Sequence, residues 1–198
     1  MNPAATPKGE RRRHALVSAA AELLIEEGFD GVRHRTVARR AGVPLASTTY
    51  YFASLDDLII AAVDHIGFLE SAVLSARVKK VSRRRRTTDA LADLILELLA
   101  GEPTIERLIS RYERSICCTR DAALSETQRL LHCRRVDAVG EALERSGRRV
   151  QPDRTAALVS AVDGAVVSAL LAGSVIPQLS ARATVVDVIE ALAPEQPS

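Results

Sequence analysis

The sequence predicts an all-α protein, and three observations carry that reading. Ala, Leu, Arg and Glu, all good helix formers, abound among its 198 residues. Apolar residues recur at helical spacing along most of the chain, and no alternating run is long enough to make a strand. Its 10 Gly and 8 Pro cluster at a few places, where they punctuate helices. Hydrophobic residues make up 47%, enough for a sizeable core, but aromatics are only 3% and Trp is absent, so that core must be aliphatic.

Residues 1–9, with Pro3, Pro7 and Gly9, read as a disordered arm. From about Glu10, a stripe of Ala15, Leu16, Ala19, Ala20, Leu23 and Leu24 forms a helix, which Gly28 ends as a left-handed cap. "FDGVRH" is a short turn. Thr36 has the right type for the N-cap of a brief helix that Gly42 stops, and residues 45–51 form a second brief helix. Ser54 can cap a longer one, with Asp56 and Asp57 well placed in its first turn. Its stripe is Leu58, Ala61/Ala62, His65, Ile66, Leu69 and Val73, running to about Val78.

"KKVSRRRRTTD" breaks the pattern and reads as a solvated connector rather than a DNA contact. Five helices follow, at about 88–100, 104–118, 122–145, 153–173 and 181–192. Ser146-Gly147 closes the third, Pro152 lies near the start of the fourth, and Ser180 caps the last.

Charge is uneven. Residues 1–53 hold eight Lys or Arg against five acids, a net of +3, whereas the remainder holds 19 against 20. A basic front end suits a polyanion-binding module. Three cysteines, Cys117, Cys118 and Cys133, make no disulfide framework and suit a reducing cytosol. The N-terminus lacks the apolar region of a signal peptide. The segment 156–176 approaches membrane-span length, but Ala, Ser and Gly dilute it and Asp163 sits in its middle. A helix buried between subunits explains it better, and no membrane partner is expected.

The stretch "TVARRAGVPLASTTYYF" explains the two brief helices. A short helix, a glycine turn and a second short helix, braced on both sides, form a helix-turn-helix. Ala38 lets the short helices close, Gly42 takes the turn, and Val37, Val43 and Phe52 plug a small core. The second helix then offers its N-terminal half to the major groove. Ser47, Thr48 and Thr49 can bond base edges, while Tyr50 and Tyr51 reach phosphates or bases.

The stretch "AAAELLIEEGFDGVRHRTVARRAGVPLASTTYYFASLDDLI" resembles the N-terminal DNA-binding domain of the TetR family of transcriptional repressors. "EEGFDG", Thr36, "AGV" and "YYF" before Ser54 fall at that family's spacing, and the later helix count fits its nine-helix plan. Pro44, Ala46, Thr49 and Leu55 depart from the family's usual residues; the usual Lys at Leu55 holds a phosphate. The resemblance implies a head at residues 10–53, a ligand-binding and dimerisation part at 54–198, and a homodimer reading a near-palindromic operator in double-stranded DNA. It implies phosphate or minor-groove contacts for Arg11, Arg12 and Arg13, and phosphate contacts for Arg35 and Thr36. It brings Leu45, Ser47, Thr48, Thr49 and Tyr50 to bases, and Tyr51 and Ser54 to the backbone. Arg39 and Arg40 are either a DNA contact or a solvated pair.

The fourth late helix has small residues on one face: Ala157, Ala161, Gly164, Ala165, Ser168 and Ala172. Small side chains permit close helix approach. With Ala181, Val185, Val188, Ile189 and Leu192 they resemble the family's four-helix dimer interface; packing within one subunit is the alternative. For a small-molecule effector, the family's pocket among the middle helices implies anchors from Arg111, Tyr112, Gln128, His132, Arg135 and Asp163. Few aromatics favour an apolar or amphipathic effector over a flat cation.

No G-x-S-x-G, Walker loop, H-E-x-x-H or zinc spacing is present, so an enzyme, a metal site or a cofactor is not expected. The reading is a cytoplasmic DNA-binding repressor released by a small effector. The alternative is a helical adaptor, or a redox-responsive regulator using Cys117, Cys118 and Cys133.

Overall fold

The structure, a computed structural model, describes residues 6–102 and 104–195. Among the described residues the chain forms helices joined by short connectors, without strands. Helix α1 (Pro7–Glu27) leads through a 3-10 turn (Phe29–Gly31) to α2 (His34–Ala41), α3 (Ala46–Tyr51) and α4 (Leu55–Lys80). Then come α5 (Thr88–Ala100), α6 (Ile105–Cys118), α7 (Ala122–Arg145), α8 (Pro152–Leu171) and α9 (Pro177–Leu192).

The chain divides into two compact units. One holds the residues up to Leu69 with Ser110–Arg129; the other holds Glu70–Ile109 and everything from Leu130 onward. This does not coincide with a boundary at 53/54. The reason is that Leu58, Ala62, Val63 and Ile66 of α4 share one core with Leu16, Leu23 and Leu24 of α1, with Val37 and with Phe52.

In the first unit, α1 starts earlier than its apolar stripe suggests. Thr6 Oγ1 accepts from the Gly9 amide at 3.1 Å and Pro7 occupies the first turn, so the expected arm is already helical there. Residues 1–5 of that arm lie outside the described residues. Gly28 has the expected positive φ of 70°, but its ψ of −166° is extended, a region that glycine alone enters easily. Gly42 takes the left-handed turn as expected, at φ 64° and ψ 31°. Thr36 is not an N-cap: Arg33 is, and Thr36 sits in the first turn, where its Oγ1 accepts from the Arg33 amide at 3.0 Å. Ser54 does cap α4. Its Oγ accepts from the Asp57 amide at 3.0 Å, and Asp57 accepts from the Ser54 amide at 3.1 Å.

The buried row of α4 departs from its sequence stripe. Leu58, Ala62, Ile66, Leu74 and Val78 are buried, whereas Phe68, Leu69 and Val73 are exposed. Leu58, Ala62 and Ile66 are spaced in fours, and a step of four turns more than once round a 3.6-residue helix. Within the first unit the buried row therefore drifts round α4 and leaves the straight stripe behind.

In the second unit, α5, α8 and α9 pack on one another, burying Leu91, Ile95, Leu158, Val162, Val185 and Ile189. Helix α9 begins at Pro177, one turn before the expected Ser180 cap, because Pro suits a first helical turn. Arg148, 2% exposed, ties this unit together. It donates to the Ala193 carbonyl at 2.6 Å, to Glu195 at 3.0 Å and to Thr88 Oγ1 at 3.2 Å. One guanidinium thus joins the start of α5, the α7–α8 turn and the segment after α9.

Two stability changes follow, both readable by urea unfolding. Gly42→Ala should cost about 1–2 kcal/mol, because its new Cβ meets nothing within 4 Å and only the left-handed backbone is strained. Arg148→Ala should cost about 2–3 kcal/mol through loss of charge-assisted bonds in a buried place.

Candidate nucleic-acid interface

Helix α3 has six residues, too few to be stable alone, so its orientation is set by what it buries. Thr48 is fully buried and Phe52, just after the helix, is 4% exposed; Ser47 and Tyr51 are half-buried. The opposite side carries Leu45, 53% exposed, and Tyr50, 63% exposed, with Ala46 and Thr49 also in solvent. Positions three and four apart share a face, so Ala46, Thr49 and Tyr50 form one outer strip. Tyr50 is braced edge-on against Tyr51, ring centroids 5.0 Å apart.

This corrects one expected contact. Thr48 cannot approach a base: its Oγ1 donates to the Leu45 carbonyl at 2.8 Å inside the head. The sequence shows five consecutive hydroxyl-bearing residues there, 47–51, and hydroxyl chemistry alone does not reveal which one faces inward. The spacing to Phe52 does: Thr48 and Phe52 are four apart and bury together. Thr49 remains exposed, its Oγ1 donating weakly to the Ala46 carbonyl at 3.3 Å.

The basic residues separate into occupied and open ones. Arg40 donates to Glu26 at 2.8 Å and to Glu22 at 3.3 Å, pinning α2 to α1. Those two carboxylates, Glu26 first, raise its pKa. Arg40 is therefore a brace, whereas Arg35 and Arg39 are exposed. Arg11 and Arg12 are exposed along α1, with Arg11 Nε on the Pro7 carbonyl at 3.2 Å. The Arg13 guanidinium lies 5.1 Å from the centroid of the Phe52 ring, a cation–π contact that links α1 to the chain leaving α3. Thr36 is half-buried, and Ser54 is exposed while capping α4.

On α8, Ala157, Gly164, Ser168 and Ala172 are exposed and Ala161 and Ala165 half-buried, while Leu158, Val162, Val166 and Ala169 turn inward. Leu171 at the end of this open face is 84% exposed. The expected α9 contribution needs correction. Ala181, Val185 and Ile189 are buried inside the chain's own core, and Val188 and Leu192 are half-buried. The open side of α9 carries Ser180, Ala183, Thr184, Asp187 and Ala191 instead.

Of the expected effector anchors, Arg135 and Asp163 pair with each other, at 2.8 and 2.6 Å, in a half-buried bidentate bridge in the second unit. His132 is half-buried in that unit. Arg111, Tyr112 and Gln128 are half-buried in the first, with the Arg111 guanidinium 5.2 Å from the Tyr112 ring centroid. A cleft of ≈ 800 Å³ in the second unit, lined by Arg77, Asp93, Leu96, Glu97, Gln178 and Arg182 among others, contains none of these six anchors. Cys117 and Cys133 are exposed and Cys118 is buried.

Two family models match the chain. One, described as bacterial regulatory proteins, tetR family, covers residues 16–62; the other, described as tetracyclin repressor-like, C-terminal domain, covers 82–195. An uncharacterized HTH-type transcriptional regulator of Haemophilus influenzae is 28% identical over 103 residues, 52% of this chain and 50% of that protein. The HTH-type transcriptional dual regulator CecR of Shigella flexneri is 40% identical over 65 residues, 33% of this chain and 29% of that protein. The chain thus spans about half the length, or less, of these curated relatives. Among solved structures, the multidrug binding protein EbrR complexed with proflavin is 30% identical, with a TM-score of 0.67, covering 90% of this chain and 99% of the other. An exposed strip on a braced short helix, an arginine-bearing first helix and matches over both halves place this chain in the TetR family of bacterial transcriptional regulators.

Proposed function

We infer that the protein acts as a cytoplasmic homodimer that binds a near-palindromic operator through α3 and leaves it when a small effector binds. The observation that carries this reading is the outer strip of α3: Leu45, Thr49 and Tyr50 face solvent on a helix whose other side is locked into the head. Arg11, Arg12, Arg13, Arg35 and Thr36 supply phosphate contacts around it, and Tyr51 and Ser54 hold the sugar–phosphate backbone. Thr48 acts from inside, by fixing the strip. Residues 10–53 then read DNA, and 54–198 serve dimerisation and effector binding.

The dimer face is the open side of α8 with the small residues of α9. Close helix approach needs small side chains, and a Cβ added at Gly164 has nothing within 4 Å in a single chain. A cut after Gly173 is a poor test of this face, because it would strip Val185 and Ile189 from the core.

A small-molecule effector is supported by the relative EbrR, solved with proflavin, ethidium and malachite green. The present chain carries only Phe68 and Tyr112 as aromatics beyond its head, which favours an apolar or amphipathic ligand over a stacked planar cation. A ligand that engages Arg135 or Asp163 must replace the bridge between them. DNA and effector then select different spacings of the two heads, and the difference in affinity does the switching.

Two variants test this reading. On genomic duplexes selected by the unaltered protein, Tyr50→Ala should weaken binding by roughly tenfold or more with unchanged unfolding. Thr48→Ala should instead lower stability by about 1 kcal/mol, measured by urea melts. An affinity that ignores Tyr50→Ala would remove α3 from the interface. For the dimer, Gly164→Arg should favour the isolated helix by about 1 kcal/mol, since Gly is the poorer helix former, yet yield monomers in sedimentation. A dimer that survives the arginine would move the interface elsewhere.

A further inference from the structure

The segment 77–86, "RVKKVSRRRR", holds seven cationic residues in ten and no acid. Its sequence suggests a loose connector, but the main chain is held. The Arg84 amide donates to the Arg145 carbonyl at 3.0 Å and the Arg86 amide to the Ser146 carbonyl at 3.3 Å. Arg86 adds side-chain bonds to the Ser82 carbonyl at 3.0 Å and to Ser146 Oγ at 3.2 Å. A Cβ at Gly147 would meet Arg85 Cγ at 3.1 Å, so the two segments touch. Burial first, and then the charge of Arg84, lower the pKa of Arg86, in keeping with crowded positive charge.

These bonds use Arg86, and Arg148 is consumed by the segment after α9. Lys79, Lys80, Arg83, Arg84 and Arg149 stay exposed, on main chain fixed by its neighbours. We propose that this surface is a second, sequence-independent nucleic-acid contact, whose ligand is the phosphate backbone of duplex DNA outside the site read by α3.

Three features favour duplex phosphate. Three of the five open groups, Arg83, Arg84 and Arg149, are guanidiniums, whose planar fork suits phosphate oxygens better than an ammonium does. They sit on a braced turn, which suits a ligand of fixed charge spacing. Neither 70–109 nor 130–198 contains a Phe, Tyr or Trp, and the unit's one imidazole, His132, is half-buried, so unpaired bases have little to stack on. The contact adds affinity and salt dependence without sequence preference, raising occupancy on long DNA.

The test uses the full chain and a random-sequence duplex several helical turns long, followed by fluorescence anisotropy across a salt series. A background carrying Tyr50→Ala, Arg11→Gln and Arg12→Gln disables the head, so failure of the operator reading stays separate from failure of this one. That background should still bind the duplex. Adding Lys79→Gln, Lys80→Gln, Arg83→Gln and Arg84→Gln should weaken binding by roughly tenfold or more and flatten the salt slope by about one for each phosphate no longer neutralised. The helical melt should not move, since these side chains are exposed. Unchanged affinity and slope would overturn the proposal and return the run to a solvated connector. Tighter binding of poly-glutamate or of phosphatidylserine vesicles than of duplex, abolished by the same four changes, would overturn the choice of partner.

Discussion

A six-residue helix has no independent stability, and the head of this protein is organised around that fact. Helix α3 holds one orientation because Thr48 and Phe52 are taken into a core made by α1, α2 and the first half of α4. Everything exposed on its outer side follows from which residues that core takes. Arg40 on Glu22 and Glu26, and Arg13 against Phe52, lie between the same helices and add direction to an otherwise non-directional aliphatic contact. A reading surface built this way owes its precision to the helices behind it, and its outer side chains are left without a structural task.

The sequence reveals the helices well because their ends carry local chemistry. The bounds of α5 and α7 coincide with those read from Thr88, Ala122 and Ser146-Gly147, and Gly42 and Ser54 do what their types suggest. Errors arise where a long-range partner decides. Thr36 looks like a cap but answers Arg33 from within the first turn. The stripe of α4 is helical, yet its buried row winds, and no local signal records the drift. Val185 and Ile189 look like any aliphatic seam, and only the packing of α5 and α8 shows that they serve the chain's own interior. The candidate site is legible to the extent that residue type and period agree: Leu45, Thr49 and Tyr50 follow from the pattern, whereas Thr48 needed the position of Phe52.

Arginine does two jobs in this molecule, and sequence cannot separate them. Some guanidiniums close helix ends and turns. Arg77 donates to the Glu97 carbonyl at 3.2 Å at the end of α5, Arg86 holds the connector, and Arg148 holds the segment after α9. Arg182 lies between Asp93 and Asp89, at 2.6 and 2.9 Å, and that pairing raises its pKa. Others face water with no such task. In a core almost without aromatic rings, the forked donor that satisfies several carbonyls at once takes over part of the work of orienting neighbouring segments. The charge left over is what distinguishes a surface from a brace.

The absence of Phe, Tyr and Trp from the second unit has an optical consequence. All three tyrosines, Tyr50, Tyr51 and Tyr112, belong to the first unit, and the chain has no tryptophan. Ultraviolet emission therefore watches the first unit and is blind to the second. Melting curves recorded by tyrosine fluorescence and by far-ultraviolet dichroism will sample different parts of the same molecule. A gap between them will measure how tightly the two parts unfold together.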